Sequence, residues 1–147
     1  MRRLLRRRCD ERGQALLEMA FTLPLLLLVC VGILEFGRAY QTWQVLTNAA
    51  REGARVAILP GMNNASVTSR VQAYMTAGQL PNAGTATIVI DRAQTISIGA
   101  GTASASQITV NYPFDFIVLD PIARLATGQG TGTRLNMVAT ATMRNEL

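Results

Sequence analysis

An uncharged apolar run near the N-terminus constrains this chain most. Residues 19–34 carry no charged side chain and are mostly large and apolar. With Ala15, Leu16 and Leu17 added, the run reaches 20 residues, interrupted only by Glu18. Twenty residues of α-helix rise about 30 Å, the thickness of the hydrocarbon core of a bilayer. The sequence therefore predicts one membrane-spanning helix at the start of the chain.

The basic charge of the chain is concentrated before this run. Six of its 14 arginines lie in residues 1–13 beside two acids, a local charge of +4 out of a total of +5. By the positive-inside rule this segment is predicted to be cytoplasmic, with everything after Glu35 on the other side. Two other readings are less favoured. A nucleic-acid-binding arm would interleave aromatic residues, and a secretory signal would end in a small-residue cleavage site, which residues 31–36 do not offer.

The composition argues against catalysis. The sequence contains no histidine and no lysine, which removes near-neutral imidazole and lysine-amine chemistry. Cys9 and Cys30 do not form a disulfide framework. The acids after Glu52 show no metal-ligand spacing, and the glycine-rich stretch 128–132 lacks the lysine of a phosphate-binding loop. We predict a protein that is not an enzyme and has no cofactor, no metal, no small-molecule substrate and no nucleic-acid partner.

A motif marks the boundary between the basic segment and the span. The chain reads Arg12-Gly13-Gln14-Ala15-Leu16-Leu17-Glu18-Met19, and three further blocks follow in order: Leu23-Pro24-Leu25-Leu26-Leu27-Leu28, Ile33-Leu34-Glu35-Phe36-Gly37-Arg38 and Asn48-Ala49-Ala50-Arg51-Glu52-Gly53-Ala54-Arg55. Over about residues 13–57 this pattern resembles the TadE-like proteins of tight-adherence (Tad or Flp) pilus systems, which are related to type IV pilins.

The resemblance implies a processing step and a set of partners. A prepilin peptidase would cut between Gly13 and Gln14, where a glycine lets the backbone approach catalytic groups without a Cβ in the way. The alternative is that Gly13 merely begins the helix. Other Tad pilins, pilus assembly proteins and membrane lipid are the remaining expected partners. The implied function is that of a minor pilin or pseudopilin in assembly of a pilus for surface adherence. The alternative is an uncleaved single-pass accessory or adhesin protein that does not enter a filament.

Two residues inside the span are candidate functional positions. Glu18 is a carboxylate in an apolar helix, which costs a few kcal/mol and marks a functional site by default. The pilin resemblance implies that it pairs with the new α-amine of Gln14 on a neighbouring subunit; the alternative is a hydrated carboxylate at the cytoplasmic boundary. Pro24 removes one helical hydrogen bond. It predicts either a fixed kink or a point at which the helix bends during assembly.

The helical pattern continues beyond the span. Apolar positions at spacings of three and four predict one helix over residues 14–59, ended by Pro60-Gly61. In its second half, Ala49, Gly53 and Ala57 place a small residue every fourth position, which permits close helix packing. The stripe packs either on the protein's own sheet, which is the favoured reading, or on another helix. Tyr40 and Trp43 suit either an interfacial aromatic belt or a core. Two i,i+3 pairs, Glu35 with Arg38 and Glu52 with Arg55, are predicted to contribute only a few tenths of a kcal/mol each.

The rest of the chain predicts a small α+β domain. Residues 63–66 are suited to capping a second helix that ends near Gly78. The apolar period then changes to two, and we predict about four antiparallel strands at residues 85–91, 95–98, 107–112 and 135–143. The fold class is therefore α+β and pilin-like: a long N-terminal transmembrane and amphipathic helix packed on a small antiparallel sheet, with a short second helix.

Two segments interrupt the predicted sheet. Residues 99–105 are predicted to form a flexible loop. Residues 114–132 hold a dense apolar cluster that either closes the end of the sheet or contacts a neighbouring subunit. A short helix over residues 121–126 with Asp120 as its cap is expected there.

These patterns divide the chain into three parts. Residues 1–13 are a basic prepilin leader, residues 14–36 a transmembrane anchor and residues 37–147 an extracytoplasmic domain. The expected location is the bacterial inner membrane, crossed once with the N-terminus in the cytoplasm, with the pilus as a second location.

Overall fold

The computed structural model describes residues 11–99, 101–127 and 135–145. They form α1 (Glu11–Ala57), α2 (Asn64–Ala77), a 3₁₀ turn (Ala83–Thr85), β1 (Thr87–Ile98), β2 (Gly101–Phe114), α3 (Leu119–Thr127) and β3 (Leu135–Arg144). The predicted α+β class is confirmed, with a long apolar N-terminal helix, a short second helix and an antiparallel sheet. Most of the predicted leader, residues 1–10, lies outside the described residues, as does the glycine-rich stretch 128–132.

Helix α1 runs for 47 residues without a break, from the apolar run into the head, the part of the protein that follows the span. It ends where Pro60, which has no N–H to continue the helical ladder, follows the last turn. Gly61 then adopts a φ of +78°, a left-handed conformation that favours glycine. The predicted stop at Pro60-Gly61 therefore agrees with the structure to within two residues.

Helix α2 is defined by its caps. The Asn63 side chain accepts a hydrogen bond from the backbone N–H of Ser66 at 2.8 Å, which satisfies one of the free amides of the first turn. Gly78 ends the helix, and its N–H donates to the Tyr74 carbonyl. Val67, Val71 and Met75 form the buried face of the helix.

The described part of the chain contains one sheet of three antiparallel strands, in the order β1-β2-β3, rather than the predicted four. The two predicted strands at residues 85–91 and 95–98 form a single β1, because a β-bulge between Asp91 and Gln94 shifts the register without ending the pairing. The prediction of a flexible loop over residues 99–105 is also wrong for residues 101–105. Residues 101–105 continue β2, with Thr102 opposite Ser97. These small polar residues lack apolar alternation, and their backbone groups are satisfied by the ladder.

Arg92 lies in the bulge of β1 and contacts the segment between α1 and α2. Its guanidinium donates to the Ala57 carbonyl at 3.0 Å, the Met62 carbonyl at 2.9 Å and the Asn64 side chain at 3.0 Å. One side chain therefore ties the end of α1, the connecting loop and the start of α2 to the sheet. The rigid fork of an arginine fits three acceptors in a way that a lysine ammonium does not.

The core lies between the second half of α1, helix α2 and one face of the sheet. From α1 it receives Leu46, Ala49, Ala50, Ala54 and Ala57; the sheet contributes Ile108, Val110, Tyr112, Phe114, Met137 and Ala139. The predicted alternation on β2 and the middle of β3 is thus confirmed. Leu135 is exposed, as is Ile98 at the hairpin end, so the core does not extend along the full length of the strands.

Candidate functional site

The first half of α1 is the first component of the site. Within the described residues, one helix is long and apolar enough to cross a membrane, and its apolar window has no residue buried inside the protein. Leu16, Phe21, Leu25 and Ile33 are exposed along it. A helix whose apolar side chains are not covered by its own fold requires another apolar environment. The first half of α1 therefore fits a single-pass membrane protein.

Gly13 and Gln14 lie in the first turns of α1, and both are exposed. A Cβ added at Gly13 would meet no atom within 4 Å. Packing within the described chain therefore does not require a glycine at this position.

Glu18 and Pro24 lie on the apolar half of α1. Glu18 is exposed, and its backbone carbonyl accepts a hydrogen bond from the Thr22 hydroxyl at 2.9 Å. The helix is continuous through Pro24, so the missing proline N–H leaves the Ala20 carbonyl without its usual partner four residues on. Cys30 is a free, exposed cysteine on the same half.

The small-residue stripe lies in the head. Ala49 and Ala57 are buried, as is Gly53. A Cβ added to Gly53 would lie 2.5 Å from Val71 Cγ2 and 3.4 Å from Ile108 Cγ2. Gly53 therefore faces both α2 and β2 of its own chain, so the stripe meets a neighbouring helix as well as the sheet. Tyr40 and Trp43, by contrast, are exposed.

The most informative side chain is Glu35, at the point where the apolar run ends. It is only 4% exposed. One carboxylate oxygen, Oε1, accepts hydrogen bonds from the backbone N–H groups of Ile117 and Val118, both at 3.0 Å. The other, Oε2, accepts from Arg38 Nη1 at 3.1 Å. A buried carboxylate is stable only when such donors replace its hydration.

Three phenylalanine rings pack against one another next to Glu35 in the chain and next to the amides that it binds. The rings of Phe36 and Phe116 meet edge to face with centroids 6.2 Å apart, and those of Phe114 and Phe116 do so at 5.2 Å. The Arg38 guanidinium lies 5.2 Å from the centre of the Phe114 ring, within the range of a cation–π interaction. We call Glu35, Phe36, Arg38 and residues 114–118 the junction, since they join the end of the apolar run to the segment between β2 and α3.

A cleft of about 340 Å³ opens beside the junction, lined in part by Arg38, Asp115, Tyr112 and the loop 78–82. The Tyr112 hydroxyl donates a hydrogen bond to the Pro81 carbonyl. Burial raises the pKa of Tyr112 above its ordinary value, the nearby Asp115 carboxylate raises it further, and Arg38 opposes both. The tyrosine is therefore a neutral hydrogen-bond donor that helps to close this end of the head.

The sequence predicts only a weak ion pair where the structure has the junction. The Glu35–Arg38 and Glu52–Arg55 pairs were both found at the predicted i,i+3 spacing, but Glu35 is buried and makes long-range contacts instead of a minor surface pair. The sequence contains a pattern that indicates this burial. Glu35 is in helical register with the buried positions Thr42, Leu46, Ala49 and Gly53 of α1, at successive spacings of seven, four, three and four.

The short helix predicted over residues 121–126 is confirmed, and it starts two residues earlier. Helix α3 begins at Leu119, and Asp120 lies in its first turn, where it pairs with Arg124 at 2.7 Å instead of acting as the cap. Among residues 11–99, 101–127 and 135–145, no group of three or more histidine, cysteine or acidic residues could hold a metal ion. The chemistry available at the junction is hydrogen bonding and aromatic packing.

Fold and junction together define a class of protein: one N-terminal apolar helix that fits a single membrane crossing, joined through a buried carboxylate to an α+β head. The family model for TadE-like proteins matches residues 13–55. This match confirms the resemblance seen in the sequence, over a segment that is less than a third of the chain. No curated protein and no solved structure shows a significant match to the chain. The TadE-like segment comprises nearly all of α1, and the sheet lies outside it.

Proposed function

We propose that this protein is a minor pilin or pseudopilin that takes part in assembly of a Tad-type pilus for surface adherence. The TadE-like match over residues 13–55 is the observation that carries the proposal. It spans the proposed cleavage site, the apolar half of α1 and most of the helix that packs on the sheet. The protein would act by binding other proteins, with its apolar helices packing together and its head selecting neighbours.

In this proposal residues 1–13 are a leader that orients the chain in the bacterial inner membrane, with the N-terminus in the cytoplasm. A prepilin peptidase then cuts between Gly13 and Gln14. The exposure of both residues supports access by a peptidase. The open space around Gly13 is consistent with a glycine selected for cleavage rather than for packing.

Glu18 is proposed to direct assembly. It lies four residues after Gln14, one helical turn away, so both groups project from one side of α1. A carboxylate transferred into a bundle of apolar helices needs a cation, and cleavage would create one at Gln14 of a neighbouring subunit. Pro24, a short distance along the same helix, is proposed as a point at which α1 bends when it enters the bundle.

The alternative is a single-pass accessory or adhesin protein that is not cleaved and does not enter a filament. The positive charge of residues 1–13 supports this alternative as much as it supports the pilin proposal, because a permanent membrane anchor also needs a basic flank that sets its orientation.

The test is the intact mass of the protein in isolated membranes and in sheared surface material, measured side by side. The proposal predicts a mass lacking residues 1–13 in both fractions. Glu18→Ala is expected to be cleaved normally yet reduced at least about tenfold in sheared material, because a subunit without the carboxylate leaves its neighbour's α-amine unpaired. Glu18→Asp, which keeps the charge, serves as the matched control.

An uncleaved chain in both fractions would reject the proposal in favour of the accessory protein. A cleaved chain confined to the membrane would identify an assembly factor instead of a filament subunit. Normal incorporation of Glu18→Ala would reject the pairing role of Glu18 and leave cleavage intact.

A further inference from the structure

Helix α3 and the two residues before it carry an exposed apolar surface. Leu125 is 89% exposed and Ile117 is 65% exposed, and Val118 and Ile122 are also exposed. In a head of this size, side chains of this kind are more often placed in the core. We call Ile117, Val118, Ile122 and Leu125 the α3 surface.

Helix α3 is amphipathic. At 100° per residue, Leu119, Ile122 and Leu125 fall on one side, and Asp120 and Arg124 fall on the other. The two charged residues form an ion pair with each other at 2.7 Å. The polar side therefore has no net charge, and the apolar side faces away from it.

The junction places this helix at a defined level. Residues 15–34 rise about 30 Å as a helix, so a bilayer's hydrocarbon core that begins near Ala15 ends at Leu34. Glu35 is the next residue, and its carboxylate accepts hydrogen bonds from the backbone N–H groups of Ile117 and Val118, with N–O distances of 3.0 Å. The start of α3 is thus fixed beside α1 at the point where α1 leaves the apolar layer.

Exposed apolar side chains lie on both sides of this point. Ile33, Leu34 and Phe36 are exposed on α1, and Phe36 contacts Phe116, the residue before the α3 surface. The Phe36–Phe116 contact therefore places exposed apolar side chains of α1 next to those at the start of α3. An amphipathic helix at this level buries its apolar side at the boundary between headgroups and acyl chains.

We propose that the α3 surface contacts the membrane, with Ile122 and Leu125 inserted at the headgroup–acyl boundary on the head side of the bilayer. Because the Asp120–Arg124 pair leaves the helix with no net charge, this contact depends on apolar burial and occurs on zwitterionic lipid without anionic lipid. The inference goes beyond the proposed pilus role, since it needs α1 to cross a bilayer but needs neither cleavage nor assembly.

The experiment measures depth with a single tryptophan. Trp43 is the one tryptophan in the chain, so Trp43→Phe provides a silent background for Leu125→Trp. The full chain is placed at one copy per nanodisc of phosphatidylcholine, and quenching is measured with lipids brominated near the headgroup end of the acyl chain. Arg124→Trp, on the polar side of the same helix, is the matched control. Leu27→Trp, in the middle of the apolar run, reports whether α1 is in the bilayer.

The proposal predicts that Leu125→Trp is quenched at least about twofold more than Arg124→Trp, to the same extent with and without anionic lipid. Equal, weak quenching at positions 124 and 125, with Leu27→Trp strongly quenched by lipids brominated near the chain end, would overturn it. A blue shift of Leu125→Trp that arises only in discs holding two copies would also overturn it, and would assign the surface to a second subunit. Failure of quenching at Leu27→Trp would also overturn the proposal, because α1 would then not span the bilayer. The mass measurement on pili is independent of all these outcomes.

Discussion

Glu35 shows how much the effect of one charge depends on its surroundings. On an exposed helix, its pair with Arg38 would contribute a few tenths of a kcal/mol. In the junction the same carboxylate is buried and also accepts hydrogen bonds from two backbone N–H groups just before α3. Without Glu35, these two N–H groups would have no acceptor. Hydrogen bonds to a buried charge stabilise by about 1.5–3 kcal/mol. Glu35 therefore links the end of the apolar run to the segment before α3 through polar contacts.

The contribution of Glu35 to the junction can be tested by replacing it and measuring hydrogen exchange at individual backbone amides. We expect Glu35→Ala to weaken the local structure by about 2 kcal/mol, because the amides of Ile117 and Val118 lose their acceptor. Hydrogen exchange at these two amides should then be about 30-fold faster. Glu35→Gln keeps an acceptor oxygen but loses the charge, and should show a smaller increase.

The control for this experiment is Glu52→Gln. Glu52 is on the same helix and pairs with Arg70 at 2.8 Å, away from the junction. Its replacement should leave exchange at residues 117 and 118 unchanged. Unaltered exchange of these amides in Glu35→Ala would contradict the role assigned to Glu35.

At the scale of secondary-structure elements, two glycines set the distance between α1 and α2. A Cβ on Gly53 of α1 would lie 2.5 Å from Val71 of α2, and one on Gly78, which ends α2, would lie 2.5 Å from Val45 of α1. Each glycine faces a β-branched valine on the other helix. Because valine has few rotamers, it cannot move aside easily. The two helices approach this closely only because both positions lack a side chain.

We expect Gly53→Ala to destabilise the head by about 1–2 kcal/mol. Overpacking against Val71 costs about 1–3 kcal/mol, and the higher helix propensity of alanine offsets up to about 1 kcal/mol of it. The measurement is urea unfolding of the full chain in detergent. The matched control is Gly37→Ala, also in α1, where an added Cβ meets no atom within 4 Å. It should be neutral or stabilising.

A double variant identifies the contact. Gly53→Ala combined with Val71→Ala should cost less than the sum of the two single changes, since the smaller residue at position 71 makes room for the new methyl group. Strict additivity would show that the close approach to Val71 does not limit the packing of these helices.

For the whole molecule, the absence of lysine simplifies the pH dependence of stability. All 14 basic side chains are arginines, which stay charged throughout the alkaline range. The chain has three tyrosines, and burial raises the pKa of Tyr112 above 10.0. A raised pKa means that the folded state holds its proton more tightly than the unfolded state. Tyr112 therefore contributes stability that is fully present below about pH 10 and is lost as the pH rises through its folded pKa.

We expect the free energy of unfolding of the head to be flat between about pH 8 and pH 9.5 and to fall above about pH 10. In Tyr112→Phe this fall should be smaller, and the variant should be less stable at pH 8 because the hydrogen bond to the Pro81 carbonyl is lost. Urea midpoints across the series provide the measurement. Tyr74→Phe, which changes an exposed tyrosine on α2, is the comparison. An identical alkaline slope in Tyr112→Phe and the unchanged protein would contradict this account.

Local patterns in the sequence were sufficient for the parts of this protein that depend on local physics. The length of the apolar run predicts a helix that can cross a bilayer, Asn63 and Gly78 predict the ends of α2, and the period of two predicts the faces of β2. These features depend on residues a few positions apart. The TadE-like motif is likewise contiguous along α1, so it could be recognised without the fold.

The tertiary structure decided the features that depend on distant residues. The bulge that merges two predicted strands into β1, the pairing of residues 101–105 and the contacts of Arg92 all require partners from other elements. The junction is the clearest case, because Glu35 and Ile117 are 82 positions apart. No local periodicity specifies that the amides at the start of α3 meet a carboxylate at the end of the apolar run. That contact forms because the packing of α1 on the sheet brings a buried charge and two unpaired donors to the same place.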